Sequence, residues 1–153
     1  MLFSVLAVCC TSVAQQLATG ERAPKIRNRH RHWVDGREPQ KTEYTYIEFV
    51  HSRSVPCLES VLKITKHIDR TDRPFRVVLV TREDDDMVDH RLRDCTGDYV
   101  GVLSDPSGRI FGDFGVSYVP FGVIVNKRRK AVWFGNPLTA ESDFFEKIIK
   151  DEE

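Results

Sequence analysis

Ser54-Val55-Pro56-Cys57 places one thiol and one hydroxyl three residues apart at the handover from a β-rich segment to a helical one. Disulfide exchange begins when a thiolate attacks sulfur, and a helix N-terminus favours that thiolate through its free N–H groups and its dipole. The first position of such a four-residue unit gains most, and here it is Ser54. A serine alkoxide is far too basic to take that role and forms no mixed disulfide. A two-thiol cycle is therefore excluded, and any redox chemistry left to this stretch is single-thiol chemistry at Cys57.

A second reading needs no chemistry. The Ser54 hydroxyl is spaced to accept the backbone N–H of Cys57 as a helix cap, and Pro56 suits a first turn in which no donor is required. Cys57 is then a small buried apolar side chain. His51 and Arg53 stand beside it, where a base or cation would lower the thiol pKa; as loop residues they also fit plain exposure to solvent. Cys95 is not expected to bridge Cys57, because a helix of about 12 residues would put it roughly 18 Å away, beyond disulfide reach.

These residues need a scaffold. Tyr44 to Val50 is β-branched and aromatic, and Leu58, Val61, Leu62, Thr65 and Ile68 follow at helical spacing. Phe75 to Thr81 is a near-continuous apolar run of the kind buried on both faces of a parallel sheet. Glu83, Asp84, Asp85 and Asp86 are expected to open a second helix running to about Cys95, carboxylates being favoured at that end; the run lacks the alternating pattern of a calcium loop. Tyr99 to Ser104 reads as an edge strand, Asp105 to Gly108 as a turn, and Phe111 and Phe114 as a brief helical segment. The tripeptide Asp113-Phe114-Gly115 matches a kinase signature by coincidence, with no glycine-rich loop to go with it. Phe121 to Val125 and Ala131 to Phe134 form a hairpin, and a last helix is expected from Thr139 as N-cap, with Phe144, Phe145, Ile148 and Ile149 on one face.

The chain has 153 residues, 41% of them hydrophobic, and 23 basic against 23 acidic side chains. That suits one domain with a real core, and the zero net charge sets nucleic acid aside as a partner. Residues 1–14 carry no charge; an apolar run ends in Ser12-Val13-Ala14, which reads as a signal peptide cleaved before Gln15, although no basic segment opens it. The run is too short to span a bilayer, and Val8 before Cys9 argues against a lipid anchor. Cleavage would remove Cys9 and Cys10 and leave Cys57 and Cys95 in an oxidising compartment. Residues 15–43 form an irregular basic lead-in that docks Trp33 on the domain. Its His30 and His32 lack further metal ligands, so no metal site is expected.

The whole order of elements, with Gly20-x-x-Ala23-Pro24, Trp33, Ile47-Glu48-Phe49, Pro56-Cys57, Asp105-Pro106-Ser107-Gly108 and Phe114 to Pro120, resembles the exported TlpA/ResA-like thiol–disulfide oxidoreductases and their AhpC/TSA relatives. The resemblance implies an α/β thioredoxin-like fold, a central mixed β-sheet flanked by helices, over residues 44–153. It implies a periplasmic or secreted location, protein or peptide thiols and disulfides as partners, and no cofactor. Pro120 becomes a cis proline that, with Val119 and Pro56, receives extended substrate backbone. The catalytic positions are Ser54 and Cys57, the first departing from the family's Cys-x-x-Cys. A binding module without electron transfer is an alternative. Peroxide reduction at Cys57 is another, since peroxiredoxins place Thr or Ser three residues before their reactive cysteine; yet Val50 stands where they carry proline, and Arg53, Arg128 and Arg129 are the candidates for the guanidinium such chemistry needs.

Overall fold

The computed structural model describes residues 17–26 and 32–153; residues 1–14, read above as a signal peptide, with Cys9 and Cys10, and His30 lie outside them. The order is β1 (Tyr44–Phe49), α1 (Val55–Ile68), β2 (Phe75–Thr81), α2 (His90–Arg93), β3 (Val100–Ser104), α3 (Arg109–Asp113), β4 (Phe121–Val125), β5 (Ala131–Gly135) and α4 (Phe144–Glu152). The strands make one mixed sheet, β3-β2-β1-β4-β5. β1 runs parallel to β2 and β2 to β3, while β1–β4 and β4–β5 are antiparallel.

Alternation along β1 divides the core. Tyr44, Tyr46 and Val50 face a layer with Cys57, Val61 and Ile64 of α1 and Phe145 and Ile148 of α4. Ile47 and Phe49 face the other layer, with Trp33, Ile110, Phe111 and Phe114. The lead-in is fastened along both borders of the sheet. The amide of Gly20 donates to the Ala131 carbonyl at 2.7 Å and that of Ala131 to the Glu21 carbonyl at 2.9 Å, while Trp33 bridges Leu103 of β3. Gly101 of β3 is pressed so closely that an added Cβ would lie 2.5 Å from Pro39 Cδ and 2.8 Å from the Arg37 carbonyl oxygen.

Three expectations are corrected. The acidic run opens no long helix: Asp85–Met87 is a single 3-10 turn, Val88 is extended (φ −66, ψ 123), and α2 has only four residues. The chain leaves the helical path to bury Val88 beside Leu92, and Asp89 then caps α2 by accepting the Arg91 amide at 3.0 Å. Thr139 does not cap the last helix. It ends a 3-10 turn begun by Asn136, its hydroxyl donates to the Asn136 carbonyl at 2.8 Å, and α4 starts at Phe144. On α1 the buried side is Cys57, Ser60, Val61 and Ile64, which puts Leu62 outside at 55% exposure.

Candidate functional site

β1 ends at Phe49, and Val50 to Arg53 carry the chain to α1. Ser54 is extended (φ −81, ψ 119), and its Oγ accepts the Cys57 N–H at 3.4 Å, with Pro56 in the first turn. The cap holds the first position of the motif and turns the thiol inward, so Cys57 is only 1% exposed. Its Sγ accepts the backbone N–H of His51 at 3.5 Å. Cys57 and Cys95 are both free thiols. The long helix that was to separate them is absent; Cys95 donates its thiol to the Arg91 carbonyl at 3.3 Å, and burial, then Asp94, pushes its pKa up.

The Val119–Pro120 bond is cis. Because Phe121 pairs with Phe49 at the start of β4, Pro120 belongs to the sheet edge from which the 51–54 loop rises. Pro120 and Cys57 are buried, whereas Val55, Pro56, Tyr118 and Val119 are exposed. Tyr118 is braced edge-on against Phe121, centroids 5.4 Å apart. Ser54, Pro56, Cys57, Val119 and Pro120 thus gather at one edge of the sheet.

Arg128 and Arg129 do not join them. They follow Val125, which pairs with Thr45 at the far end of β1. Arg53 is near in sequence but exposed, with its amide donating to His51 Nδ1 at 3.2 Å.

Two acids unassigned by the sequence reading shape the site. Glu83 Oε2 accepts from the Ser52 amide at 2.8 Å and the Thr81 hydroxyl at 2.7 Å, and its Oε1 accepts the Ser52 hydroxyl at 2.7 Å. Ser52 Oγ in turn accepts the Asp89 amide at 2.9 Å, and His51 Nδ1 lies 3.8 Å from Glu83. Burial pushes the Glu83 carboxyl up, but the Ser52 amide, the Thr81 and Ser52 hydroxyls and His51 outweigh it and leave it below its ordinary value. Glu48 sits on the α1 side of β1 with no exposure. Tyr46 donates its phenol to Glu48 Oε2 at 2.7 Å. Neither Oε1 nor the Ser60 hydroxyl makes a well-formed hydrogen bond, yet the hydroxyl is near enough to favour the carboxylate. Burial drives the Glu48 pKa up to about 7 against the pull of the Ser60 and Tyr46 hydroxyls, and burial likewise raises that of Tyr46. The available signal for Glu48 was parity: an acid two residues from Tyr46 and Val50 faces the same interior. No group of three or more His, Cys, Asp or Glu among the described residues could hold a metal ion.

No protein-family model matches the chain, and no curated protein does. Solved structures do resemble it. The thioredoxin domain of a thiol-disulfide oxidoreductase from Bacteroides vulgatus superposes with TM-score 0.68 at 16% identity, over 90% of this chain and 100% of that one. An exposed lipoprotein thioredoxin of Streptococcus pneumoniae gives 0.59 at 22% identity, over 78% and 95%. A reduced 2-Cys peroxiredoxin of Plasmodium vivax gives 0.55 at 16% identity, over 72% and 77%. At these identities the likeness establishes the architecture: the chain has a thioredoxin-like fold.

Proposed function

We propose that this protein is an exported thioredoxin-fold module that binds extended polypeptide at the edge formed by Pro56, Val119 and Pro120, and that it has lost the two-thiol electron-transfer cycle. The observation that carries the reading is the contrast at α1's first turn. The residue at the attacking position is a serine engaged as a cap, the remaining thiol is 1% exposed, and apolar Val55, Tyr118 and Val119 stay open to solvent around them. A buried sulfur is poorly placed to meet a folded protein's disulfide, whereas the exposed apolar rim suits the side chains of a bound strand. The apolar, uncharged leader supports export, and no described helix is long and apolar enough to cross a membrane.

Single-thiol redox chemistry at Cys57 is the second reading, favoured by the His51 N–H aimed at the sulfur, which would stabilise a thiolate. Titrating Cys57 with a thiol reagent against pH in the folded protein separates the two. Labelling that stays slow until alkaline pH, together with binding of an unfolded polypeptide, supports the module. Rapid labelling near neutrality, with a sulfenic acid after peroxide, supports the redox reading.

A further inference from the structure

On the face of the sheet turned away from Cys57, a cavity of about 1280 Å³ lies between the lead-in and the strands. It is larger than the roughly 300–1,000 Å³ usual for small-molecule sites. Ile47, Val78 and Val125 give it an apolar floor, and Ala23, Trp33 and Ile110 an apolar wall. Its charge is one-sided in a chain of zero net charge: Lys25, Lys41, Arg76, Arg109, Lys127 and Arg129 line it against only Glu43 and Asp105. Asp105 is already engaged, its Oδ2 accepting the amides of Ile110 and Phe111 at 2.9 and 3.2 Å.

Three donors of lining residues are buried with no acceptor: Trp33 Nε1, Arg76 Nε and Arg129 Nη1. Trp33 itself is 8% exposed, and the Arg76 guanidinium lies over its ring, 5.7 Å from the centroid. Buried donors without partners are disfavoured, although the Arg76 guanidinium also donates through Nη2 to Glu38 Oε1 at 3.0 Å. Arg129 adds a backbone observation. It adopts φ 61 in the β4–β5 turn, a conformation suited to glycine and strained for arginine. A glycine at this position would relax the backbone.

We propose that this cavity binds an amphipathic organic anion, its apolar body on Ile47, Val78 and Val125 and its carboxylate or phosphate oxygens on the guanidinium groups of Arg76 and Arg129. This goes beyond the polypeptide-binding edge and is independent of it, since no residue of that edge lines the cavity.

Calorimetric titration of the full chain with decanoate and with decyl phosphate tests the site, with decanol and inorganic phosphate as the half-ligands. The expected result is saturable one-to-one binding of at least one amphipathic anion, the tighter of the two identifying the headgroup, with both half-ligands at least about tenfold weaker. Arg129→Gly, which suits the left-handed turn, should fold at least as well as the wild type and bind about tenfold more weakly; Arg76→Gln should weaken binding similarly. Absence of binding by either anion, equal binding of decanol, or unchanged affinity in Arg129→Gly would each overturn the proposal. Cys57 labelling in these variants should match the wild type, which distinguishes this site from the edge at Pro120.

Discussion

Glu83 holds Ser52 at two points, accepting its amide at 2.8 Å and its hydroxyl at 2.7 Å, and thereby ties the end of β2 to the loop that launches α1. Hydrogen bonds to a charged acceptor contribute about 1.5–3 kcal/mol each. Glu83→Ala should therefore lower unfolding stability by about 3 kcal/mol in urea titration and speed the labelling of Cys57, whose sulfur is bonded by the next residue back, His51. A variant as stable as the wild type, with unchanged labelling, would refute the role.

The same carboxylate sets an acid limit. Its pKa is lower folded than the ordinary 4.5 of the unfolded chain, so its stabilisation is full above that value and is lost as pH falls through the folded one. Urea midpoints of the wild type and Glu83→Gln should converge in that acid range.

Glu48 acts in the opposite sense. With its pKa up at about 7, the folded state holds a proton that the unfolded state releases near 4.5, so stability should decline as pH rises from about 4.5 to about 7. Glu48→Gln should remove that slope and exceed the wild type at pH 8 by on the order of 3 kcal/mol. Parallel stability profiles for the two proteins across this window would contradict the assignment.

Gly122, opposite Glu48 in the β1–β4 register, leaves the space that Tyr46 uses to reach the acid. A Cβ there would lie 2.8 Å from Tyr46 Oη and 2.9 Å from Trp133 Cζ3. Gly122→Ala is expected to cost about 1–3 kcal/mol, measured by chemical denaturation, with part of the loss recovered in a Tyr46→Phe background.

Ser54→Cys puts a second thiol at the half-buried first position of the motif. It should form an intrachain disulfide with Cys57 under mild oxidation, seen as the loss of two hydrogens by mass and of both free thiols by titration. Ser54→Ala, by contrast, should cost about 1 kcal/mol through loss of the cap. Persistence of two free thiols in Ser54→Cys would count against the geometry of α1's first turn.

The elements legible in the sequence are those whose pattern is local. The runs at Tyr44–Phe49, Phe75–Thr81 and the β4–β5 hairpin carry their burial in their own composition, and Ser54 announces a cap by residue type and spacing alone. Legibility fails where a distant partner decides. Asp84 to Asp86 look like a helix start until Val88 is required in the core, and Glu83 looks like one more charge in that run until Ser52, 31 residues earlier, claims its carboxylate. Glu48 was visible as part of a motif, but its buried state depends on α1 closing over β1. The cavity on the other face is assembled from the lead-in, four strands and α3, and no single segment signals it.

The stitching of the lead-in along both outer strands has a consequence for any shortened form of the chain. Sheet borders stripped of a covering segment present rows of unpaired amides and carbonyls that recruit other copies by strand addition. A version starting at Tyr44 would uncover β3 and the start of β5 together, so it should turn from a discrete particle into a sticky, self-templating one. The apparently featureless stretch before the first strand thus works as an insulator, keeping the sheet to itself.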